Sequence, residues 1–362
     1  MTKWCGDDKK RDRKMAGRYR LDELNTAAAR IFEAAGFRKD YAERVADNLV
    51  TAEARGVYSH GLVHLTDYVE LFRLGKIQNN DFEVVRDFAA TALIDAHHAP
   101  GAPSGEEAMD LAIEKAKQFG VGIVSVKNGT HFGMAYYYAR RALKENMIGL
   151  AFTNAGDMVA PFGGKTKQIG TNPICITSPT GDGGEITFDA ATSVQALNKL
   201  YHASVEKKPI PLGWAIDPDG NDTTDPNLGM AGALLPFGGY KGYGLGFMVN
   251  LLTGILSGSS LVRHEDGTIS EDIHNCGFNF CAIDISKFND LKDYFDGQKL
   301  FAERVTSSAR KDGVDKIYLP GEIEVDKYYK ALKDGILLGD GVEGNLLRLQ
   351  EEFNIENKLT KL

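Results

Sequence analysis

His131 stands in Asn128-Gly129-Thr130-His131-Phe132-Gly133. An apolar run of strand length, Val121–Val126, precedes it, and helical spacing from Ala135 to Asn146 follows. That spacing puts the imidazole on a strand-to-helix crossing between two glycines. Glycine there permits a tight turn and a close approach of backbone to ligand. Open α/β sheets bind ligands just past the carboxyl ends of their strands, and an imidazole exchanges protons near neutral pH. A helix cap or a structural hydrogen bond would account for the same residue type. A second constellation is Arg55-Gly-Val-Tyr-Ser-His60-Gly-Leu-Val-His64-Leu-Thr-Asp-Tyr68. If a helix begins at Ser59, then His60, His64 and Tyr68 fall at i, i+4 and i+8 and form one polar stripe. Two histidines at that spacing can chelate a metal. No glutamate follows His60, so the zinc-protease pattern is missing, and a solvated helix face explains the stripe as well.

Three further stretches carry polar chemistry. Lys165–Pro173 reads as a loop between strands, with backbone groups and Asn172 as donors for a polar ligand or as a plain turn. Thr187-Phe188-Asp189-Ala190-Ala191-Thr192 ends a strand in a carboxylate. Such a group can orient a histidine or cap the next helix. Pro236-Phe-Gly-Gly-Tyr-Lys241-Gly-Tyr-Gly-Leu-Gly246 sets glycines and a lysine before an apolar helix, a phosphate-site composition. It is not a GxGxxG fingerprint after a strand, and no Walker lysine-serine pair occurs.

The elements that must position these groups follow from periodicity. Leu21, Leu24, Ala28, Ile31, Phe32 and Ala35 mark a helix ended by Gly36. Asp40-x-x-Glu43 reads as a capping box opening a second helix to about Ala54, and a third helix runs from Ser59. From about Ala89 the pattern becomes α/β. Strands are expected at 90–95, 121–126, 148–154, 174–177, 185–189, 278–285 and 316–319. Helices are expected at 104–119, opened by Ser104-x-x-Glu107, and at 135–146, 193–202, 244–256 and 291–310. Two more begin at Asp326 and Gly344. The expected organisation is a flexible extension over 1–18 and a helical unit over 19–85 that packs with 325–362. An α/β part over 86–324 completes it.

The 362 residues suffice for two or three domains, and 43% hydrophobic with 25% charged content is that of a globular protein. A net charge of −8 without a basic block argues against nucleic acid as a partner. Cys5, Cys175, Cys276 and Cys281 fit no common zinc spacing, and a reduced cytoplasmic compartment is expected. Met1–Gly17 lacks the apolar core of a signal peptide, and Met15 is an alternative start. Gly244–Leu261 approaches span length but carries Asn250, Thr253 and several Ser and Gly, so a buried helix rather than a membrane span is expected.

Taken together and in order, these motifs resemble the malate/L-lactate dehydrogenase family, the type without a classical Rossmann fold. The resemblance covers nearly the whole chain from about Arg20. It rests on Arg55-Gly-x-x-Ser-His-Gly61, Gly129-Thr-His-Phe-Gly133, Pro161-Phe-Gly-Gly164 and Gly170-Thr-Asn-Pro173. Phe188-Asp-Ala-Ala-Thr-Ser193, Lys241-Gly-Tyr-Gly244 and Pro320-Gly321 complete the set. Thr187-Phe-Asp189, Trp214-Ala-Ile-Asp217 and Thr223-Thr-Asp-Pro226 look most like the ureidoglycolate dehydrogenase branch.

The resemblance implies a mixed-sheet α/β fold with a helical N-terminal unit and a cofactor-binding domain at about 145–265. It implies a homodimer and hydride transfer between NAD or NADP, NAD being preferred, and a small 2-hydroxy or 2-oxo acid. No metal is implied. His131 falls on the family's catalytic histidine and His60 on a second acid/base histidine, while the chemistry of the residue type makes Asp189 the expected orienter of the first or a cofactor contact. Asp189, Ala190, Ala191, Lys241, Gly321 and Glu322 fall on cofactor contacts. His64, Tyr68, Asn154, Thr171 and Asn172 fall on the substrate side.

Two departures stand out. The family's arginine clamp for the substrate carboxylate is His64 here, which lacks the permanent charge and the bidentate fork. The Ser-Asp pair of the ureidoglycolate enzymes is Ala155-Gly156, with Asp157 one place later. Ureidoglycolate dehydrogenase proper and a diketogulonate or imino-acid reductase are the near alternatives. A metal-dependent hydrolase built on His60, His64 and His131, or an inactive binding protein, are the distant ones.

Overall fold

The structure, a computed structural model, describes residues 17–259, 262–263, 269–270, 275–356 and 358–362. Most of the expected N-terminal extension, with Met15 and Cys5, lies outside them, as does Leu261.

Helix α1 (Leu21–Ala35) buries Leu24, Ala28, Ile31 and Phe32 and ends at Gly36, whose φ of 108° suits glycine alone. Helix α2 (Lys39–Ala54) follows. Its expected capping box does not form: Arg38 is the N-cap, and Asp40 turns back to the Arg38 guanidinium at 2.8 Å. The single helix expected from Ser59 is also absent. Two short 3-10 turns, Tyr58–His60 and Leu62–His64, are joined at Gly61 and lead into α3 (Leu65–Arg73). The extended ψ of −149° at Gly61 interrupts the helical run.

The main sheet has seven strands. In chain order these are β1 (Glu83–Phe88), β2 (Thr91–Asp95), β3 (Val121–Gly129), β4 (Met147–Thr153), β5 (Ile174–Pro179), β6 (Glu185–Ala190) and β7 (Cys276–Asp284). Their spatial order is β1-β2-β3-β7-β4-β5-β6. Only β2 and β3 pair in parallel, across helix α4 (Gly101–Phe119); every other neighbour is antiparallel. This is the mixed sheet expected, not a doubly wound parallel one. Ser104 does not open α4. It lies inside the first turn, and its hydroxyl donates to the Pro100 carbonyl at 3.1 Å. The segment expected as one helix over 135–146 divides into α5 (Tyr136–Ala139) and a 3-10 stretch, Arg140–Glu145. The apolar helix α6 (Tyr240–Asn250) passes into a π-helical turn, Leu251–Ile255. No strand forms at 316–319; the chain there is irregular before α7 (Glu322–Asp334) and α8 (Asp340–Glu352).

One apolar core packs α4 and α5 on the sheet through Met109, Val124, Val126, Phe132, Tyr138, Phe278 and Phe280. A second joins α1, α2 and α3 to the C-terminal helices, with Ala331, Leu346 and Leu349 packed among Leu24, Phe32, Leu49 and Val69. Cys175 and Cys281 are free thiols. No helix among the described residues is long and apolar enough to cross a membrane.

Candidate active site

His131 sits two residues past β3, and the main chain on both sides of it is fixed. Thr130 Oγ1 donates to the Ala99 carbonyl at 3.2 Å, and Asn48 Nδ2 donates to the Phe132 carbonyl at 3.2 Å. Phe132 is buried and stacks on Phe278 at 4.8 Å. A Cβ on Gly101, at the start of α4, would lie 2.6 Å from the His131 carbonyl oxygen, so the helix can approach this segment only as glycine.

Against this imidazole come the residues around Gly61. The ring centroids of His60 and His64 lie 5.9 and 4.9 Å from that of His131. The Tyr68 hydroxyl lies 2.5 Å from His131 Nδ1. The polar stripe is therefore assembled although the helix expected to carry it is broken. Burial pushes the Tyr68 phenol well up, so it remains protonated. Burial, reinforced by the charge of His64, lowers His60 to about 4 and takes His131 well below the ordinary imidazole value. Both are therefore neutral at pH 7. Behind the Tyr68–His131 pair the wall is largely apolar: Phe37, Val45, Ile77, Ala102 and Phe132.

His64 differs from its neighbours. Its Nε2 lies 2.8 Å from the Ser59 carbonyl, which can only accept, and its Nδ1 lies 3.2 Å from Asp67 Oδ2. Both partners are acceptors, so each contact is a hydrogen bond only when the nitrogen facing it carries the proton. With both nitrogens so placed, the ring has no N–H left over for a fork on a carboxylate. With Nδ1 of His60 at 2.9 Å from Ser59 Oγ and Nδ1 of His131 on Tyr68, the three rings do not turn their nitrogens to one point. Among the described residues no group of three or more His, Cys, Asp or Glu is arranged to hold a metal ion.

Asp189 is not where the orienter role requires it. Its Oδ2 accepts from the Tyr136 N–H at 2.9 Å, at the start of α5, and the group on His131 Nδ1 is Tyr68. Packing around the carboxyl raises it to about 6, the Tyr136 N–H working in the opposite direction, although the residue as a whole is exposed. Ala190 and Ala191 follow at the end of edge strand β6. Gly321 is pressed on the same strand: a Cβ there would lie 2.8 Å from the Thr187 carbonyl, and Thr187 N donates to Pro320 O at 3.0 Å. Glu322 accepts from Leu319 N at 3.0 Å and from Lys316, which holds its carboxyl below the usual range. Lys241 is exposed in the first turn of α6. Asn172 is fully buried; its Oδ1 accepts from Ala155 N at 3.1 Å and its Nδ2 donates to Gly246 O at 2.8 Å. Asn154 Oδ1 accepts from Gly277 N at 2.7 Å, and the Thr171 carbonyl accepts from Thr192 N at 2.8 Å. All three are engaged in bonds to main-chain groups, and none is among the residues lining the cavity beside His131.

Sequence reading did not single out Asp67, Asn198 or Glu53. Asn198 Nδ2 donates to the Ser59 carbonyl at 3.2 Å, linking the chain beyond Ala191 to the histidine loop. Asp67 stands three residues after His64, a helical ion-pair spacing that could have marked it. Asn198 carried no such signal.

A neutral imidazole on a buried phenol, ringed by two further histidines just past a sheet strand, is a proton-transfer pocket of the dehydrogenase kind in a non-Rossmann α/β fold. The family model for malate/L-lactate dehydrogenase matches residues 19–346, and the chain belongs to that family. The malate/(S)-sulfolactate dehydrogenase of Methanothermus fervidus is 36% identical over 92% of this chain and 98% of its own. The NAD(+) ureidoglycolate dehydrogenase of Escherichia coli is 34% identical over 85% of this chain and 88% of its own. The solved sulfolactate dehydrogenase of Methanocaldococcus jannaschii superposes with a TM-score of 0.85 at 34% identity, covering 94% of this chain and 98% of that one.

The neutral state of His60 has a consequence for stability. Its folded pKa, about 4, lies below the unfolded value near 6.5. The unfolded chain therefore takes up the proton first as pH falls, and stability is lost between pH 6.5 and 4. Relative to His60→Asn, the wild type is expected to lose up to about 3 kcal/mol across that window. Denaturant midpoints of the two proteins at pH 7, 5.5 and 4.5 measure the difference.

Proposed function

We propose that this chain is a nicotinamide-dependent dehydrogenase interconverting a small 2-hydroxy acid and its 2-oxo acid, with His131 as the proton-transfer group. The observation that carries this reading is the pairing of His131 Nδ1 with the buried Tyr68 hydroxyl, while Nε2 has no partner among the described residues. With Nδ1–H donating to the phenol oxygen, Nε2 keeps its lone pair. It receives the hydroxyl proton on oxidation and returns it on reduction. His60, the second candidate, is stacked on the same ring.

When bound, the nicotinamide supplies the hydride chemistry. The residues present suit such a group. Gly238 and Gly239, at φ 57° and 65°, lead into the eleven-residue helix α6. A Cβ on Gly238 would meet nothing within 4 Å, so the backbone there faces open space, and Lys241 is exposed one turn on. A helix N-terminus with a lysine suits phosphate. Asp189, Ala190, Ala191, Lys241, Gly321 and Glu322 are the proposed cofactor contacts, with NAD preferred because the Escherichia coli relative is an NAD(+) enzyme. The substrate side is His64, Tyr68, Asn154, Thr171 and Asn172. In this reading His131 takes its orientation from Tyr68, and Asp189 serves the cofactor side. The reading includes a homodimer in the cytoplasm and the unit boundaries given above.

The test is NADH and NADPH oxidation against pyruvate, oxaloacetate, sulfopyruvate, diketogulonate and cyclic imino acids. It is paired with NAD reduction by malate, lactate, sulfolactate and ureidoglycolate. One saturable hydroxy/oxo pair is expected, and a blank across the panel with either cofactor would remove the reading. His64 gives a sharper result. An arginine there supplies a permanent charge and a fork, and hydrogen bonds to charged groups contribute about 1.5–3 kcal/mol. His64→Arg is expected to lower KM for the preferred oxo acid by roughly tenfold or more. An unchanged KM for every oxo acid would show that the substrate carboxylate lies elsewhere.

A further inference from the structure

Glu53 is a buried carboxyl that none of the steps above uses. It is the last residue but one of α2, 4% exposed, with no ion-pair partner among the described residues. Its one hydrogen bond to the main chain comes from Leu62 N, at 3.0 Å to Oε2. Burial pushes this carboxyl up to about 7. A charge-bearing group kept in such a place without a cation is unfavourable by itself, so what it holds is the point of interest.

It holds the junction of the two 3-10 turns. Gly61 lies directly on the carboxyl: a Cβ there would stand 2.0 Å from Glu53 Oε2 and 3.1 Å from Cδ. A side chain at 61 would therefore displace the Glu53 carboxyl, whereas the φ of −91° would itself admit one. The next residue gives the carboxyl its N–H. His60 precedes this point and His64 follows it, with His64 N donating to the Gly61 carbonyl at 3.1 Å. Neither turn has a side-chain cap of its own. The Leu62 N–H is an orphan donor at the start of the second turn, and Glu53 satisfies it from a neighbouring helix.

We infer that Glu53 is a positioning residue of this pocket: by gripping the Gly61–Leu62 junction it sets where the rings of His60 and His64 stand against His131. It touches none of the reacting atoms. The inference rests on the dehydrogenase reading for its effect on turnover, but its geometric content stands apart from that reading.

Four variants test it: Glu53→Ala, Glu53→Gln, Gly61→Ala and the Glu53→Ala/Gly61→Ala pair. The readouts are kcat and KM for the preferred substrate, NADH affinity by fluorescence, and the 1H–15N imidazole signals of His60 and His64. An ångström of misplacement in a catalytic site can cost about 100-fold in rate. Glu53→Ala and Gly61→Ala are each expected to lower kcat by about tenfold or more, with imidazole signals shifted and NADH affinity unchanged. Glu53→Gln keeps an acceptor of the same shape for Leu62 N–H and is expected to recover most of the loss. In the double variant the Cβ of residue 61 no longer meets Oε2, so Gly61→Ala should add less than about threefold to the effect of Glu53→Ala.

Wild-type kcat and wild-type imidazole signals in Glu53→Ala would overturn the inference, as would strict additivity of the pair. If Glu53→Ala does not fold, Gly61→Ala with unmoved histidine signals overturns it alone. If the wild type turns over no oxo acid, the functional reading fails while the imidazole signals still decide this one.

Discussion

Replacing His131 by asparagine is expected to reduce kcat by about 10²–10⁴-fold, the range that a positioned acid–base group contributes. Asparagine fills a similar volume but neither takes nor gives a proton at neutral pH. The main chain of residues 130–133 is held by Asn48, Ala99 and the Phe132–Phe278 stack, none of which involves the imidazole. The fold around the site should therefore survive, and NADH should bind with wild-type affinity. Tyr68→Phe removes only the phenol on Nδ1 and leaves the ring to choose its tautomer, so its effect should be smaller, about tenfold. Steady-state rates with fluorescence titration of NADH separate the two losses. An asparagine variant within threefold of wild type would require another group to carry the proton, with His60 as the first to examine.

The sequence pattern carried the site further than it carried the elements. His60, His64, Tyr68 and His131 were picked out by type and spacing, and the structure brings them into ring contact. The helix used to group the first three does not exist. Gly61 interrupts it, and two 3-10 turns keep the side chains near one another by a different path. Both expected capping boxes failed for a local reason: an arginine took the carboxylate in one, and helix α4 began three residues early at Gly101 in the other. The antiparallel partners of β7, a strand that enters the sheet between β3 and β4 from far along the chain, are set by tertiary packing that periodicity does not register. Asp189 was legible as a strand-end carboxylate but not in its partner. Its position at a strand end suited both a histidine and a helix start, and the structure gives it the helix start of α5. Glu53 was invisible because a lone buried glutamate on a helix looks like any solvent-facing one until its neighbours are known.

The second large effect concerns how the histidine-bearing unit is attached to the sheet. Arg55, 4% exposed at the end of α2, donates from Nη2 to Glu185 Oε1 at 2.9 Å, and its guanidinium lies 3.6 Å over the Tyr136 ring. Glu185 also takes the Tyr136 hydroxyl, and Tyr136 N binds Asp189. One arginine thus ties α2 to the edge strand β6, which ends in the proposed cofactor contacts. Removing one partner of a buried pair leaves the other charge uncompensated, which costs about 3–5 kcal/mol. Arg55→Met is expected to destabilise the protein by that amount, a large part of an ordinary stability of about 5–15 kcal/mol. It should also weaken NADH binding, because β6 loses its strut. Glu185→Gln in the same background removes the stranded charge and should restore at least half of the lost stability, whereas the cofactor affinity should stay low. Urea denaturation of the wild type, the single variant and the pair measures the first effect, and NADH titration measures the second. If Arg55→Met unfolds at the wild-type midpoint, the pair is no strut. If Glu185→Gln brings no recovery, the loss lies in the arginine's packing over Tyr136 rather than in its charge.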